Sequence, residues 1–161
     1  MFWLASLLIP GLLVFGLFHL LTWLNVRNLN SLTFRKRVSV TSALSHIILA
    51  VGFFAFSYAD YLINQRTTLA GVGFDGYLFN QSPFWRLAQI FDTAPMLALL
   101  GVVYLLDKLG IDLPIMVALA FVIMLSVGTI QWYIVGGGIG LLLERFWSGL
   151  KTADDEDEDW L

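Results

Sequence analysis

Six side chains of this sequence could do chemistry within otherwise apolar stretches: Asp92, Asp60, Arg86, Gln131, His19 and His46. A carboxylate at the centre of a membrane helix costs about 2.5–3.5 kcal/mol on insertion scales. Such a group persists where it carries an ion, relays a proton or caps a helix. Asp92 is the first candidate, either as a step on an ion path or as the cap of the helix that follows it. Asp60 and Arg86 are expected near one interface, as a structural ion pair or as the mouth of a substrate or ion path. Gln131 can hydrogen-bond between helices.

His19 and His46 are the only histidines. They fall at matching depths on adjacent segments, where facing imidazoles could hold a haem b iron axially. The plainer expectation is that each bonds to a neighbour at its own interface. No carboxylate joins them at a fixed spacing, which argues against a non-haem metal. His46, Leu49, Phe53, Ser57 and Asp60 share one face at the helical period. That face is polar at its ends and apolar between, unlike a continuous water-lined pore.

Other chemistry is absent from the sequence. There is no Ser-His-Asp spacing, zinc helix, phosphate loop or pair of catalytic carboxylates. The chain has no cysteine, which excludes disulfides, thiol catalysis and thiolate metal sites. An enzyme is not expected. No basic patch interleaved with aromatics suggests nucleic acid.

The elements that must position these residues follow from composition. Of 161 residues, 58% are hydrophobic and 13% charged. Soluble domains carry about 45–50% apolar and about 25% charged residues. The expected fold is an all-α integral membrane protein with four transmembrane helices in one domain, residues 1–150. Each span needs about 20 apolar residues. The expected spans are 2–24, 41–63, 93–109 and 114–135. The first apolar run reads as a retained span, since no basic residue precedes it and no small-residue cleavage site follows. Pro10-Gly11 should kink it.

Asp75-Gly76 reads either as a tight hairpin turn or as part of an irregular apolar loop. Asn80-Gln81-Ser82 matches a glycosylation sequon, a weak signal with proline next in line. From Pro83 to Asp92 the pattern is amphipathic. It reads as an interfacial helix before span three, or as the first part of one kinked helix. Gly110 to Pro114 is a tight turn that makes spans three and four an antiparallel hairpin. The apolar pattern then persists to Trp147, roughly 50 Å of helix against a hydrocarbon core of about 30 Å. This helix must tilt, break near Gly136-Gly137-Gly138, or protrude. Gly136 and Gly140 have the small-xxx-small spacing that lets helices pack closely and dimerise in lipid.

Six consecutive acids, Asp154 to Asp159, make residues 151–161 an expected disordered acidic tail. The tail could dock on a basic partner protein. Arg35, Lys36 and Arg37 place loop 25–40 in the cytoplasm, and four spans then put both termini on the opposite side. Arg145 and Lys151 argue against that orientation.

Two function classes follow. One is a non-catalytic membrane subunit, in contact with the lipid bilayer, that forms a homo-oligomer or docks on a larger membrane complex. The other is an oligomeric small pore, transporter or membrane-permeabilising effector using Asp92, Asp60 and Arg86. A third reading is a haem b electron-transfer subunit using His19 and His46.

Overall fold

A computed structural model describes residues 2–26, 29, 31–64, 73–83, 86, 92–108 and 116–157. Every element among them is helical. In chain order these are α1 (Phe2–Trp23), α2 (Phe34–Asn64), α3 (Phe74–Asn80), α4 (Thr93–Lys108), α5 (Met116–Ile123) and α6 (Thr129–Asp157). A π-turn, Met124–Gly128, joins α5 to α6. Two helical stretches, Phe34–Asn64 and Val117–Ser148, are long and apolar enough to cross a membrane. Pro10–Trp23 and Thr93–Leu106 are shorter apolar runs. The Gly110–Pro114 turn and most of the stretch from Pro83 to Asp92 lie outside the described residues.

α1 carries Pro10 within it and ends at a left-handed residue, Asn25, with φ 50°. Asn tolerates that conformation better than most residues. Two bonds close the end, Asn25 N–H to the Thr22 carbonyl at 3.1 Å and Val26 N–H to the Leu21 carbonyl at 3.4 Å. These satisfy carbonyls that the helix would otherwise leave open.

α2 starts at Phe34, seven residues before the expected 41, so Arg35, Lys36 and Arg37 lie in its first turn. Cations are unfavourable at a helix N-terminus. Glu144 offsets this by accepting the Arg35 backbone N–H at 2.9 Å.

α2 and the α5–α6 rod pack antiparallel along their length. Arg35 meets Glu144, Ser42 meets Gly136, His46 meets Thr129 and the Phe54 ring meets Phe121, centroids 4.7 Å apart. The seam is made of small residues. A Cβ at Gly136 would lie 2.7 Å from Ser42 Cβ and 3.0 Å from the Val38 carbonyl oxygen. One at Gly140 would lie 3.0 Å from Arg35 Cα. The close approach that the Gly136 and Gly140 spacing allows is thus used inside the chain. The rod does not break at Gly136–Gly138: α6 runs unbroken through them. Packing against α2 outweighs the helix-weakening effect of glycine.

The helix also continues through Asp157, into the stretch 151–161 that composition alone marks as a disordered acidic tail. Extending an existing helix adds one bond per residue fixed and needs no new nucleus. Trp160 and Leu161 lie outside the described residues.

The segment around Asp75-Gly76 is the helix α3, neither a hairpin turn nor an irregular loop. Phe74 and Tyr77 share one face at helical spacing, and both rings pack on Tyr61.

The expected third span takes an unexpected course. Ser82 lies beside Ser57, with oxygens 2.7 Å apart. Asp92 lies beside His46, eleven residues back along α2, or about 16 Å. His46 is the thirteenth residue of this 31-residue helix. From there α4 runs back toward the C-terminal end of α2, and Leu99 packs with Ala120, Ile123 and Met124. Among the described residues, Ser82 and Asp92 therefore stand at different levels of α2, and α4 leads from the second level back toward the first. α4 begins beside the middle of α2.

The seam predicts a contrast between neighbouring glycines. A Cβ at Gly138 would meet nothing within 4 Å. Gly138→Ala should leave thermal stability equal or slightly raised. Gly136→Ala and Gly140→Ala should each lose about 1–3 kcal/mol through overpacking. Unfolding of the purified variants followed by circular dichroism checks the ranking.

Candidate functional site

Polar side chains gather where α4 begins. Asp92 precedes α4, and its own carbonyl accepts the Met96 N–H at 3.0 Å, the first bond of that helix. Its carboxylate does not cap the helix. Oδ1 accepts the Trp132 indole N–H at 2.9 Å, and Oδ2 lies 3.1 Å from His46 Nε2. His46 Nδ1 lies 3.2 Å from Thr129 Oγ1. With a proton on Nε2, His46 donates to Asp92 and accepts the Thr129 hydroxyl at Nδ1. That assignment satisfies every bond in the cluster. Gln131 takes over the capping: its Oε1 accepts the Ala94 N–H at 3.0 Å. Asp92 is 3% exposed and His46 2%.

The π-turn makes room for this. The Thr129 N–H bonds to both the Leu125 and Ser126 carbonyls, and the widened turn sets Gly128 against the His46 ring. A Cβ at Gly128 would run into that imidazole and stand 3.2 Å from Pro95 Cγ. Such turns interrupt α-helices mostly at functional positions.

A second polar group lies toward the C-terminal end of α2. The Tyr77 hydroxyl donates a short bond to Asp60 Oδ2, and the Asn64 amide donates to Asp60 Oδ1 at 2.9 Å. Tyr77 is buried. Burial, reinforced by the hydrogen bond to Asp60 and that residue's charge, pushes its hydroxyl up to about 12. Ser82 opposes this in part.

The expected partnerships are rearranged. Asp60 is held by Tyr77 and Asn64, while Arg86 is exposed and donates to the Asn80 carbonyl at 3.5 Å. The Asp60–Arg86 ion pair is therefore not formed. His19 is exposed, with its ring edge-on to Phe15 at 4.4 Å. His46 is buried, with both nitrogens bonded. Axial haem ligation by this pair would require His46 to leave Asp92 and Thr129. Among the described residues, no three His, Asp or Glu side chains gather as metal ligands. The face of α2 that turns inward is also rotated from expectation: Ser39, Ser42, His46, Ala50 and Ser57 are buried, while Leu49 and Asp60 are partly exposed.

Trp132, Thr129 and Gly128 are the site residues that sequence reasoning missed. The available signal was the pairing rule: a carboxylate in apolar surroundings needs donors, and His46 and the Trp132 indole are donors of that kind. Chemically, the cluster is a matched carboxylate–imidazole pair closed to solvent. It holds three segments together and presents no free nucleophile. Comparison with protein families, curated proteins and solved structures yields no match.

Asp92→Ala strands the buried His46 and the half-buried Trp132 indole and should cost about 3 kcal/mol; Trp132→Phe should cost about 1 kcal/mol. The double variant should lose less than the sum, because the two share a bond. Calorimetry of the single and double variants checks this. The Tyr77 environment predicts a stability loss between about pH 10 and 12. Above pH 10 the unfolded state releases the tyrosine proton while the folded state keeps it, so stability falls as pH rises. Tyr77→Phe should flatten that segment of the stability–pH curve.

Proposed function

We propose that the chain is a multi-pass membrane protein that acts as a non-catalytic subunit, assembling with copies of itself or with a larger membrane complex. The observation that carries this reading is a division of surfaces. The polar groups around Asp92 are matched to one another and closed off. Large apolar side chains face outward instead. On α4, Leu97, Leu100, Tyr104 and Leu105 form an exposed stripe at helical spacing. On α6, Ile134, Leu142, Phe146 and Trp147 are exposed. Water would not tolerate so much contiguous apolar surface. Lipid and partner helices do.

In this reading α1, α2 and the α5–α6 rod cross the bilayer. The described segments 73–83 and 92–108 then belong to a re-entrant hairpin served from one side, in place of the fourth crossing expected from the sequence. Non-helical backbone at bilayer depth is tolerated where protein buries it. The termini then emerge on opposite sides. The basic residues favour this arrangement: Arg27, Arg35, Lys36, Arg37, Arg145 and Lys151 fall on one side, and Arg66, Arg86 and Lys108 on the other. The richer side is assigned to the cytoplasm. Arg145 and Lys151, which argued against two termini outside, now agree with Arg35–Arg37. The acidic tail then extends into the cytoplasm, where it could meet a basic partner protein.

A pore or transporter is the second reading. A half-helix that begins at mid-depth beside a carboxylate and an imidazole favours it, since discontinuous helices of this kind build transport sites.

Purification in mild detergent separates the two. The subunit reading expects a particle heavier than one chain plus micelle, and vesicles in which Asp92→Asn leaves ion and proton flux unchanged. A lone chain whose flux is abolished by Asp92→Asn contradicts it.

A further inference from the structure

A cavity of about 780 Å³ opens between α1, α2 and α6, and Trp132, whose indole bonds to Asp92, is part of its wall. Its walls are almost wholly apolar, among them Val14 and Phe15 of α1, Val38 of α2, and Ile139 and Leu143 of α6. Trp132 closes one end, and Phe18, Phe34 and Trp147 line the other. From Trp132 to Trp147 the helix rises about 22 Å, more than half a hydrocarbon core of about 30 Å. In the proposed orientation the cavity is a groove through the cytoplasmic leaflet.

The outer end of this groove is basic. Arg35, Lys36 and Arg37 follow Phe34 directly. The Arg37 guanidinium stands over the Phe18 ring, 5.7 Å from its centroid, and its Nε is buried with no hydrogen-bond partner. Arg35 and Lys36 are exposed. Glu144 is bonded to the Arg35 backbone, and Arg145 stands exposed beside it in sequence. Cations therefore outnumber carboxylates at this end among the described residues. The acidic tail starts at Asp154, about 15 Å further along the helix axis and beyond a Debye length of about 8 Å.

We infer that the groove holds one acyl chain of an anionic phospholipid, with the phosphate over Arg35, Lys36 and Arg37. Apolar walls supply the chain site. The basic mouth supplies selectivity for charge, and the positive end of the α2 dipole adds to it. This inference rests on the membrane reading above.

Native mass spectrometry of the full chain in mild detergent tests it, using phosphatidylglycerol and phosphatidylcholine with identical acyl chains. Phosphatidylglycerol should bind at least roughly tenfold tighter, and replacing Arg35, Lys36 and Arg37 together by Gln should weaken it roughly a hundredfold. The single exposed change Lys36→Gln, which is safe for folding, should weaken it about fivefold. Leu143→Trp, which fills the groove, should weaken both lipids. Excess inorganic phosphate should not displace the lipid. Equal binding of the two lipids, binding unchanged by the Gln substitutions, or displacement by free phosphate each overturns the site. Recovery of folded chain in the aqueous fraction without detergent instead overturns the membrane reading.

Discussion

An ionised carboxylate buried without partners costs several kcal/mol even after the protein relaxes around it. Asp92 is a buried carboxyl group that is given partners, and the arrangement of the chain around it follows from meeting its needs. Its two oxygens take donors from two different helices, His46 of α2 and Trp132 of α6. Supplying those donors fixes where α4 must begin, about 18 Å from the start of α2. It also explains why the π-turn ahead of α6 ends in Gly128, opposite the imidazole. Gln131 completes the arrangement by capping α4, which leaves the Asp92 carboxylate free for its side-chain partners.

The serine–glycine seam supplies the rigidity this site needs. Ser39 and Ser42 of α2 face Gly137 and Gly136 of α6, so the two backbones approach closely. Close approach of small residues is the main source of helix affinity where lipid removes the hydrophobic drive. The seam holds the two donor helices at fixed spacing, and the start of α4 then docks between them. Seam and site reinforce each other, since moving either helix would break the bonds to Asp92.

Much of this was legible in the sequence. Helical class, the end of α1, the polar candidates and the Gly136–Gly140 spacing all follow from local pattern and composition. Pairing did not, because it is non-local. Depth pairs His46 with His19, yet its partner lies 46 positions along the chain on another element. Asp60 was matched with Arg86, and the nearer phenol of Tyr77 takes it instead. α4 has 16 residues where a crossing needs about 20, and hydropathy alone does not show that it begins beside the middle of α2. The basic turn of α2 read as loop because its stabilising contact, Glu144, comes from the far end of the sequence.

The most direct test of the re-entrant course is sidedness. The chain has no cysteine, so single substitutions report without background. Ser31→Cys, Lys108→Cys and Ser148→Cys can each be labelled in sealed vesicles with a reagent that does not cross the bilayer. The account predicts that positions 31 and 148 react from one side and position 108 from the other. Positions 31 and 108 reacting together, with 148 opposite, would contradict it.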